Sequence, residues 1–303
     1  MEKKVALALA SGGPRGFAYI GAIEELQARG YTITSVAGAS AGSLVGGIFA
    51  AGGLEAFKEW LFGLDPVQIM TLMDFSVSRN YLVKGEKVIA AIQERVPNVN
   101  IEDLPIPFTA IATDLFTGEE VIFREGPLFQ AIRASISIPS MFKPVKWKGR
   151  TLVDGGMVNT FPLNRVARTP GDILVGFNVN QIDAAEIQGF LDSRAALLSR
   201  RTEENSLIGR IQAGLQARML DADGRESWIP VRADDNFASI LQRSFGIMNC
   251  TIARMGIELT PPDILVSLPY DSYHGVYGYS HAPEIVAISR QLMAEALDRY
   301  ENR

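Results

Sequence analysis

The stretch YTITSVAGASAGSLVGGIFAAGG, residues 31–53, decides the predicted fold. It begins with β-branched residues typical of a strand and ends with small and apolar residues typical of a buried helix. Between them lies Gly38-Ala39-Ser40-Ala41-Gly42, the G-x-S-x-G pattern of a nucleophile elbow. Such an elbow is a sharp strand-to-helix turn that holds the nucleophile in strained backbone geometry. The alternative interpretation is a plain glycine-rich turn between a strand and a helix.

The segments before this stretch predict an α/β protein. Residues 4–10 are a short apolar run that stops at a glycine loop, as a buried parallel strand does. Residues 17–30 show helical periodicity, with Gly30 placed to end the helix. Two strand-helix units at the start of the chain indicate a three-layer α/β/α sandwich with a mainly parallel central sheet.

Further elements are predicted along the rest of the chain. We predict a hairpin over 106–123, a helix over 127–138, a strand running into a Gly-Gly turn over 147–159 and a strand over 172–180. Charged helices are predicted over 183–220 and an amphipathic helix over 282–300. The chain of 303 residues is expected to form a single domain, 1–303. Its catalytic core is expected at about 4–180 and a helical C-terminal part at about 181–303.

Composition excludes several classes of function. The formal net charge of −5 comes without a basic stripe, so we expect no nucleic-acid partner. Cys250 is the only cysteine, which excludes an intrachain disulfide and a thiolate metal cluster. Since no run of about 18 apolar residues occurs, no membrane-spanning helix is predicted. We expect a cytoplasmic protein, whose only membrane contact would be peripheral, at the inner face, and mainly apolar.

A second glycine-rich stretch, Ser11-Gly12-Gly13-Pro14-Arg15-Gly16, follows the first predicted strand. Glycines at such a junction expose backbone N–H groups that can bind a phosphate or the oxyanion formed at an ester carbonyl. Pro14 has no N–H, so the candidate donors are Gly12 and Gly13. Arg15 is either a third donor or a charged brace of the loop. The spacing lacks the dinucleotide and P-loop patterns, and a plain glycine turn is the alternative.

A third stretch, Val153-Asp154-Gly155-Gly156, ends a predicted strand. A carboxylate at a strand end followed by two glycines can approach a serine closely and serve as its base. The competing interpretation is an ordinary Asp-Gly turn.

The two histidines, His274 and His281, decide what serine chemistry is available. A triad in the order Ser40, Asp154, histidine is formally compatible with the chain order of α/β-hydrolases. Those enzymes usually form several strands before the elbow, however, whereas Ser40 closes the second strand here. His281 precedes Ala-Pro, which fits a helix start. A Ser-His-Asp esterase using His274 or His281 therefore stays as the alternative.

Together, the three stretches resemble the patatin-like phospholipases, acyl hydrolases with a Ser-Asp dyad. Residues 11–16 match their G-G-G-x-R-G loop, residues 38–42 their G-x-S-x-G and residues 154–156 their D-G-G, in the same order and spacing. Further similar blocks are ATDLFTG at 112–118, SISIPSMFKPV at 135–145 and NTFP at 159–162. The resemblance is closest to compact bacterial members and covers roughly residues 4–180.

The resemblance implies a mechanism that needs no metal and no organic cofactor. Asp154 takes the proton of Ser40, which attacks an acyl ester, and an acyl-enzyme forms and is hydrolysed. The N–H groups of Gly12 and Gly13, with help from Arg15, would stabilise the oxyanion. Ser11 departs from the family's first loop glycine, but both donor glycines remain. A carboxylate is a weak base, so we predict that the site raises the Asp154 pKa or that proton transfer is late.

A lipid or acyl ester substrate needs an apolar pocket. Residues 54–77 carry an apolar stripe that forms either a cap over Ser40 or, the preferred interpretation, part of the core. On family grounds, residues 135–145 are expected to line the acyl channel. A protein that binds an acyl group or a phosphate without turnover is the non-enzymatic alternative. DADGRE at 221–226 lacks the ligand series of an EF-hand loop and predicts a polar turn.

Overall fold

The computed structural model describes residues 3–72, 74, 83–182, 188–193, 195, 237–273 and 278–303. The strands are β1 Lys4–Leu9, β2 Thr32–Ala39, β3 Phe108–Asp114, β4 Glu120–Phe123, β5 Val145–Trp147, β6 Arg150–Asp154, β7 Asp172–Gln181 and β8 Ile264–Pro269. The helices are α1 Ala18–Ala28, α2 Ala41–Ala50, α3 Leu54–Phe62, α4 Pro66–Leu72, α5 Glu86–Gln93, α6 Leu128–Ser135, α7 Phe237–Leu259 and α8 Ala282–Glu301.

The strands form one sheet in the order β5-β6-β3-β2-β1-β7-β8, with β4 also paired to β3. The ladders from β3 through β2, β1 and β7 to β8 are all parallel. The pairs β3–β4, β3–β6 and β5–β6 are antiparallel. The prediction of an α/β/α sandwich with a mainly parallel sheet is therefore confirmed, with an antiparallel part at one side.

The alternation of side chains along β1 explains the layers on the two faces of the sheet. Val5, Leu7 and Leu9 enter the larger core, which also contains the buried faces of α1, α2 and α8. The alanines between them face a smaller core with Phe161 and with Ala253 of α7. Large side chains thus fill one face, while alanines let the other layer pack close to the sheet.

β2 and β6 meet end to end along one side of β3. The last residue of β2, Ala39, pairs with Ile111 of β3, and the last residue of β6, Asp154, pairs with Ala112. The opposite side of β3 is occupied by β4 across the same positions. Because β2 is parallel and β6 antiparallel to β3, their C-terminal ends face each other. This register brings the residue after β2, Ser40, next to the end of β6.

Most predicted elements are confirmed, and some were missed. The predicted strand over 147–159 is wrong in its first part: Trp147 ends β5, and a turn at Lys148 and Gly149 leads into β6. Helix α7 and strand β8 were not predicted individually. Most of the predicted charged helices over 183–220 lie outside the described residues. No helix of the described ranges is long and apolar enough to cross a membrane.

Candidate active site

Ser40 occupies the turn between β2 and α2 in strained backbone geometry. Its φ of 51° and ψ of −120° place a non-glycine residue in a region that few residues adopt. A Cβ atom on Gly42 would lie 2.7 Å from the Ala10 carbonyl oxygen and closer still to that of Leu9. A Cβ atom on Gly38 would overlap the Gly42 main chain. The turn therefore has the geometry of a nucleophile elbow, with both glycines required by crossing backbone.

The strained turn is held by a serine that lies outside the three glycine-rich motifs. The Ser40 N–H donates to the Ser135 hydroxyl at 2.9 Å, and that hydroxyl donates to the Ile111 carbonyl at 2.5 Å. Ser135 is fully buried at the end of α6. It lies at the start of the family-like block 135–145, which is the one signal in the sequence that pointed to it.

Asp154 ends β6 with its side chain buried. Its Oδ1 accepts a hydrogen bond from the Gly156 N–H at 2.7 Å, which fixes one carboxylate oxygen. Its main-chain N–H donates to the Ser137 carbonyl at 2.9 Å, and Thr113 Oγ1 donates to its carbonyl at 2.8 Å. The carboxylate is thus fixed at a strand end, beside the elbow.

Burial dominates the protonation of this carboxyl group. Loss of solvation raises the pKa of Asp154 to about 7, against smaller opposing contributions from the Ser40 side chain and the Gly156 N–H. The other oxygen, Oδ2, is buried and has no hydrogen bond of normal geometry in the described part of the chain. The Ser40 hydroxyl therefore acts on the carboxyl group from a longer or less aligned position, as is common before substrate binds. The expectation of a raised Asp154 pKa is confirmed.

The loop of Ser11–Gly16 adjoins both Ser40 and Asp154. A Cβ atom on Gly156 would lie 2.7 Å from Ser11 Oγ and 3.0 Å from Asp154 Oδ1, so the loop borders the carboxylate. The N–H groups of Gly12 and Gly13 donate to no group within the described ranges. Gly13 has a φ of 57° and begins a 3-10 turn, Gly13–Phe17. Two unpaired N–H donors thus lie at the start of a helical turn, where negative charge is stabilised.

The buried Arg15 side chain connects this loop to the main chain of Tyr270. Its Nε donates to the Gly12 carbonyl at 3.1 Å, and its Nη1 donates to the Tyr270 carbonyl. The guanidinium also stacks on the Tyr270 ring, 4.6 Å from its centroid. Burial lowers the pKa of Arg15. Of the two interpretations of Arg15, these contacts favour the brace over a third oxyanion donor.

An apolar cavity opens beside Ser40 and Gly13. It encloses about 920 Å³, counting its mouth toward solvent. Its walls come from helices α2 to α5, from the segment 136–142 and from Tyr279; the side chains include Leu44, Val45, Phe57, Trp60, Leu61, Leu64, Ile69, Leu72, Val88, Ile92, Ile136, Ile138 and Phe142. Because its lining is apolar, a cavity of this kind suits an acyl chain better than a polar ligand.

The two segments that were expected near the acyl group both contribute to this cavity. Within 54–77, Phe57 and Leu61 are buried in the core and also line the cavity beside Ser40. The segment therefore belongs to the core, as preferred, and also forms one wall of the cavity. Residues 73 and 75–77 of that segment lie outside the described residues. Ile136, Ile138 and Phe142 place part of block 135–145 in the cavity wall, and its role in an acyl channel stays a prediction.

The histidines lie apart from this geometry or outside the described residues. His281 occupies the N-cap position of α8, as the sequence predicted, with its ring 6.2 Å from that of Tyr273. No histidine is among the groups that shift the Asp154 pKa. His274 and the 221–226 turn lie outside the described residues.

Comparison with known proteins agrees with the geometry. The family model described as patatin-like phospholipase matches residues 7–167. An uncharacterized NTE family protein of Mycobacterium tuberculosis is 34% identical over 98% of this chain and 92% of its own length. A second uncharacterized NTE family protein of that bacterium is 35% identical over 57% of this chain and 30% of its own. Patatin-like phospholipase domain-containing protein 7 of Mus musculus is 27% identical over 62% of this chain and 14% of its own.

Proposed function

The chain belongs to the patatin-like phospholipase family of lipid acyl hydrolases, and on that premise we propose that it cleaves acyl esters of lipids through a Ser40–Asp154 dyad. The reaction class is that of a phospholipase A, a lysophospholipase or a lipid esterase. Ser40 is the nucleophile and Asp154 the only general base, with no imidazole between them. The substrate's acyl chain occupies the apolar cavity, and its ester carbonyl lies at the cavity mouth.

Acylation begins with proton transfer from Ser40 to Asp154. Ser40 Oγ forms a bond to the ester carbonyl carbon while its proton passes to the Asp154 carboxylate. A carboxyl group whose pKa is raised to about 7 is a far better base than an ordinary aspartate, and it still ionises near neutral pH. Collapse of the tetrahedral intermediate breaks the bond to the leaving alcohol, which takes the proton from Asp154.

The oxyanion is stabilised by main-chain N–H groups. Gly12 and Gly13 supply the two donors, since both N–H groups lack other partners within the described chain. One such donor is typically worth about 3 kcal/mol of transition-state stabilisation. The N-terminus of α2 adds a favourable potential at Ser40, the residue that precedes its first turn.

Deacylation repeats these steps with water. Asp154 takes a proton from the water, whose oxygen attacks the acyl carbonyl carbon. The bond to Ser40 Oγ then breaks, the hydroxyl regains its proton from Asp154, and the fatty acid leaves. The acyl chain stays until this step because it is esterified to Ser40, and the apolar cavity walls pack around it.

The strand register is the observation that supports this proposal most. Ser40 follows the residue paired with Ile111, and Asp154 is paired with the next residue, Ala112. Two residues 114 positions apart in the chain therefore meet at one point of the sheet. A structural role alone would not call for a buried carboxylate with an orphan oxygen beside a strained serine.

The test combines covalent labelling with lipid hydrolysis. A fluorophosphonate probe should label the wild-type chain and the control variant Ser244→Ala, which changes an exposed helical serine. It should not label Ser40→Ala. Fatty acid release from a panel of phospholipids, lysophospholipids and acylglycerols should follow the same pattern. Unlabelled wild-type protein that still binds fatty acids would instead identify a non-enzymatic binding protein.

Two substitutions distinguish the proposed Ser-Asp dyad from a histidine-dependent triad. His274→Ala and His281→Ala should both retain hydrolysis, because neither imidazole takes part in the proposed proton transfer. Loss of hydrolysis in either variant, with folding intact, would replace the dyad by a Ser-His-Asp triad.

A further inference from the structure

Two hairpin turns lie side by side at the end of the sheet where β2 and β3 terminate and where Ser40 lies. One connects β3 to β4, and the other connects β5 to β6. Leu115 donates its N–H to the Thr151 carbonyl at 2.8 Å, which joins the first turn to the start of β6. Arg150 Nη1 contacts Glu119 Oε2 at 2.9 Å and strengthens this connection. Residues 114–119 and 143–151 thus form one continuous projection, which we call the basic hairpin surface.

This surface exposes large apolar side chains at its tip. Phe116 is 79% exposed and Leu115 48% exposed, although both follow a completely buried strand. The Phe116 N–H is fixed by Asp114 Oδ1 at 3.0 Å, so the ring projects from an ordered turn. Transfer of these two side chains from water to an apolar environment is favourable.

The same surface concentrates positive charge in an acidic protein. It contains Lys143, Lys146, Lys148 and Arg150 against two carboxylates, Asp114 and Glu119, while the whole chain has a net charge of −5. Asp114 is buried, and Glu119 is paired with Arg150. All three lysines are exposed, and none is ion-paired to a residue that the structure describes. Lys146 Nζ donates to the Thr151 hydroxyl, and Lys148 Nζ lies 5.4 Å from the centre of the Trp147 ring. Because an ammonium group has three donors, these lysines keep donors for anions.

The basic hairpin surface is continuous with the wall of the apolar cavity. Phe142 lines the cavity, and Lys143 follows it directly in the chain. Arg133 ties the two together, because its Nη2 donates to the Lys143 carbonyl at 2.9 Å. A partner bound to the hairpins thus lies next to the cavity wall.

We propose that the basic hairpin surface binds an anionic lipid bilayer, with Phe116 and Leu115 inserted at the interface and Lys143, Lys146 and Lys148 paired with headgroup phosphates. The proposal rests on the lipid acyl hydrolase function, for which it identifies the form of the substrate: lipid in a membrane. Charge selects this occupant, since a lysine near an anionic membrane contributes about a fivefold gain in binding. Membrane contact is then both apolar and electrostatic, whereas the sequence predicted a mainly apolar contact.

The test measures binding separately from hydrolysis. The full chain with Ser40→Ala is sedimented with vesicles of phosphatidylcholine, or of phosphatidylcholine mixed with phosphatidylglycerol. We expect binding to the anionic vesicles that weakens as salt rises. Lys146→Gln with Lys148→Gln should weaken it roughly twenty-five-fold. Phe116→Ser should weaken it about tenfold, since a buried aromatic side chain is lost from the interface.

Matched controls lie at the opposite edge of the sheet. Arg299→Gln with Arg303→Gln removes the same charge from the end of α8, where Glu301 pairs with Lys3 beside β1. Leu259→Ser removes an 81% exposed side chain at the end of α7, before β8 begins. Both controls should bind vesicles like the parent chain. Each variant is first shown to be folded by its thermal unfolding.

Three outcomes would overturn the proposal. They are equal binding to neutral and anionic vesicles, equal weakening by the control variants, and a dimer in vesicle-free solution that Phe116→Ser dissociates. The last would assign the surface to a second copy of the chain. Vesicle binding by a protein that fails to hydrolyse any lipid would leave this inference intact and remove the proposed function instead.

Discussion

Arg15 and Arg133 perform the same task on opposite sides of the candidate site. Arg15 donates to the carbonyls of Gly12 and Tyr270 and so holds the loop with the proposed oxyanion donors. Arg133 donates to the carbonyls of Lys84 and Lys143, at 2.5 Å and 2.9 Å, and so holds the cavity wall. Burial lowers the pKa of both guanidinium groups. We call the two halves of the site the reaction side and the cavity side.

The two sides differ in what surrounds these braces. On the reaction side main chain packs against main chain: a Cβ atom on Gly155 would overlap the Ile111 carbonyl, as one on Gly42 would overlap that of Leu9. On the cavity side the walls are side chains that face empty volume. Close-packed backbone tolerates no added atom, whereas a cavity tolerates change in volume. We therefore expect backbone to fix the proposed chemistry and replaceable side chains to set the acyl preference.

The largest expected effect comes from removing the base on the reaction side. Asp154→Asn keeps the shape of the side chain but cannot accept the Ser40 proton. We expect kcat to fall by a factor on the order of 10⁴, as for loss of a hydrolase's acid–base group. In the wild-type chain, kcat/KM should rise with pH through about 7, because the carboxyl group must be ionised to act as the base. Because an imidazole also titrates near this pH, the contradicting result is a rise that His281→Ala removes.

The same variant should be more stable than the wild type at alkaline pH. The folded-state pKa of about 7 lies above the ordinary value of 3.8, so the folded chain keeps a proton that the unfolded chain has lost. Raising the pH from about 4 to 7 therefore costs the wild type up to about 4 kcal/mol of stability, which Asp154→Asn does not lose. Urea unfolding should show the largest difference at pH 8 and less than half of it at pH 5. A variant less stable at both pH values would show that the carboxylate is structural.

The second prediction compares two glycines of α2. Gly42→Ala places a methyl group against main-chain oxygens of β1, while Gly47→Ala places one 3.0 Å to 3.2 Å from the side-chain tips of Ile132, Phe108 and Leu128. We expect Gly42→Ala to lower the free energy of unfolding by about 3 kcal/mol. Gly47→Ala should change it by about 1 kcal/mol or less, since those tips can shift and alanine favours helix. Equal losses in urea unfolding would show that contact with main chain is no more costly than contact with side-chain tips.

The contrast also explains how much the sequence could predict. Residues 11–16, 38–42 and 154–156 were identified because glycine spacing within a few residues dictates each backbone turn. Ser135 and Tyr270 were missed, since their contacts with Ser40 and Arg15 join distant parts of the chain.

One local feature was missed for a different reason. The turn between β5 and β6 uses Lys148 and Gly149 at φ of 45° and 79°. Lysine is rarely placed at the first position of such a turn, where asparagine or aspartate is the usual signal. The basic hairpin surface was missed with it, because only the register of β3 with β6 places residues 114–119 beside 143–151.

The third prediction replaces each of the two arginine braces with lysine. Arg15→Lys and Arg133→Lys each replace a planar fork, which can bind two carbonyls, with a single ammonium group. Arg15→Lys should lower kcat about thirtyfold with little change in KM, since a misaligned oxyanion donor weakens only the transition state. Arg133→Lys should raise KM for long-chain esters and leave kcat for a short soluble ester unchanged. Identical kinetic effects would mean that both arginines serve stability alone.

The smallest expected effect concerns the choice of acyl chain. Leu44 lines the cavity one helical turn beyond Ser40, about 6 Å along α2. Leu44→Phe narrows the cavity beyond the ester, so kcat/KM for long-chain esters should fall about tenfold, the usual effect of crowding an apolar pocket. Esters with acyl chains too short to reach Leu44 should react as before. Leu292→Phe is the matched control, because Leu292 is partly buried on α8 outside the cavity lining. If both variants change kcat/KM equally for esters of every acyl length, the acyl chain does not bind in the apolar cavity. The division between a fixed reaction side and an adaptable cavity side would then fail.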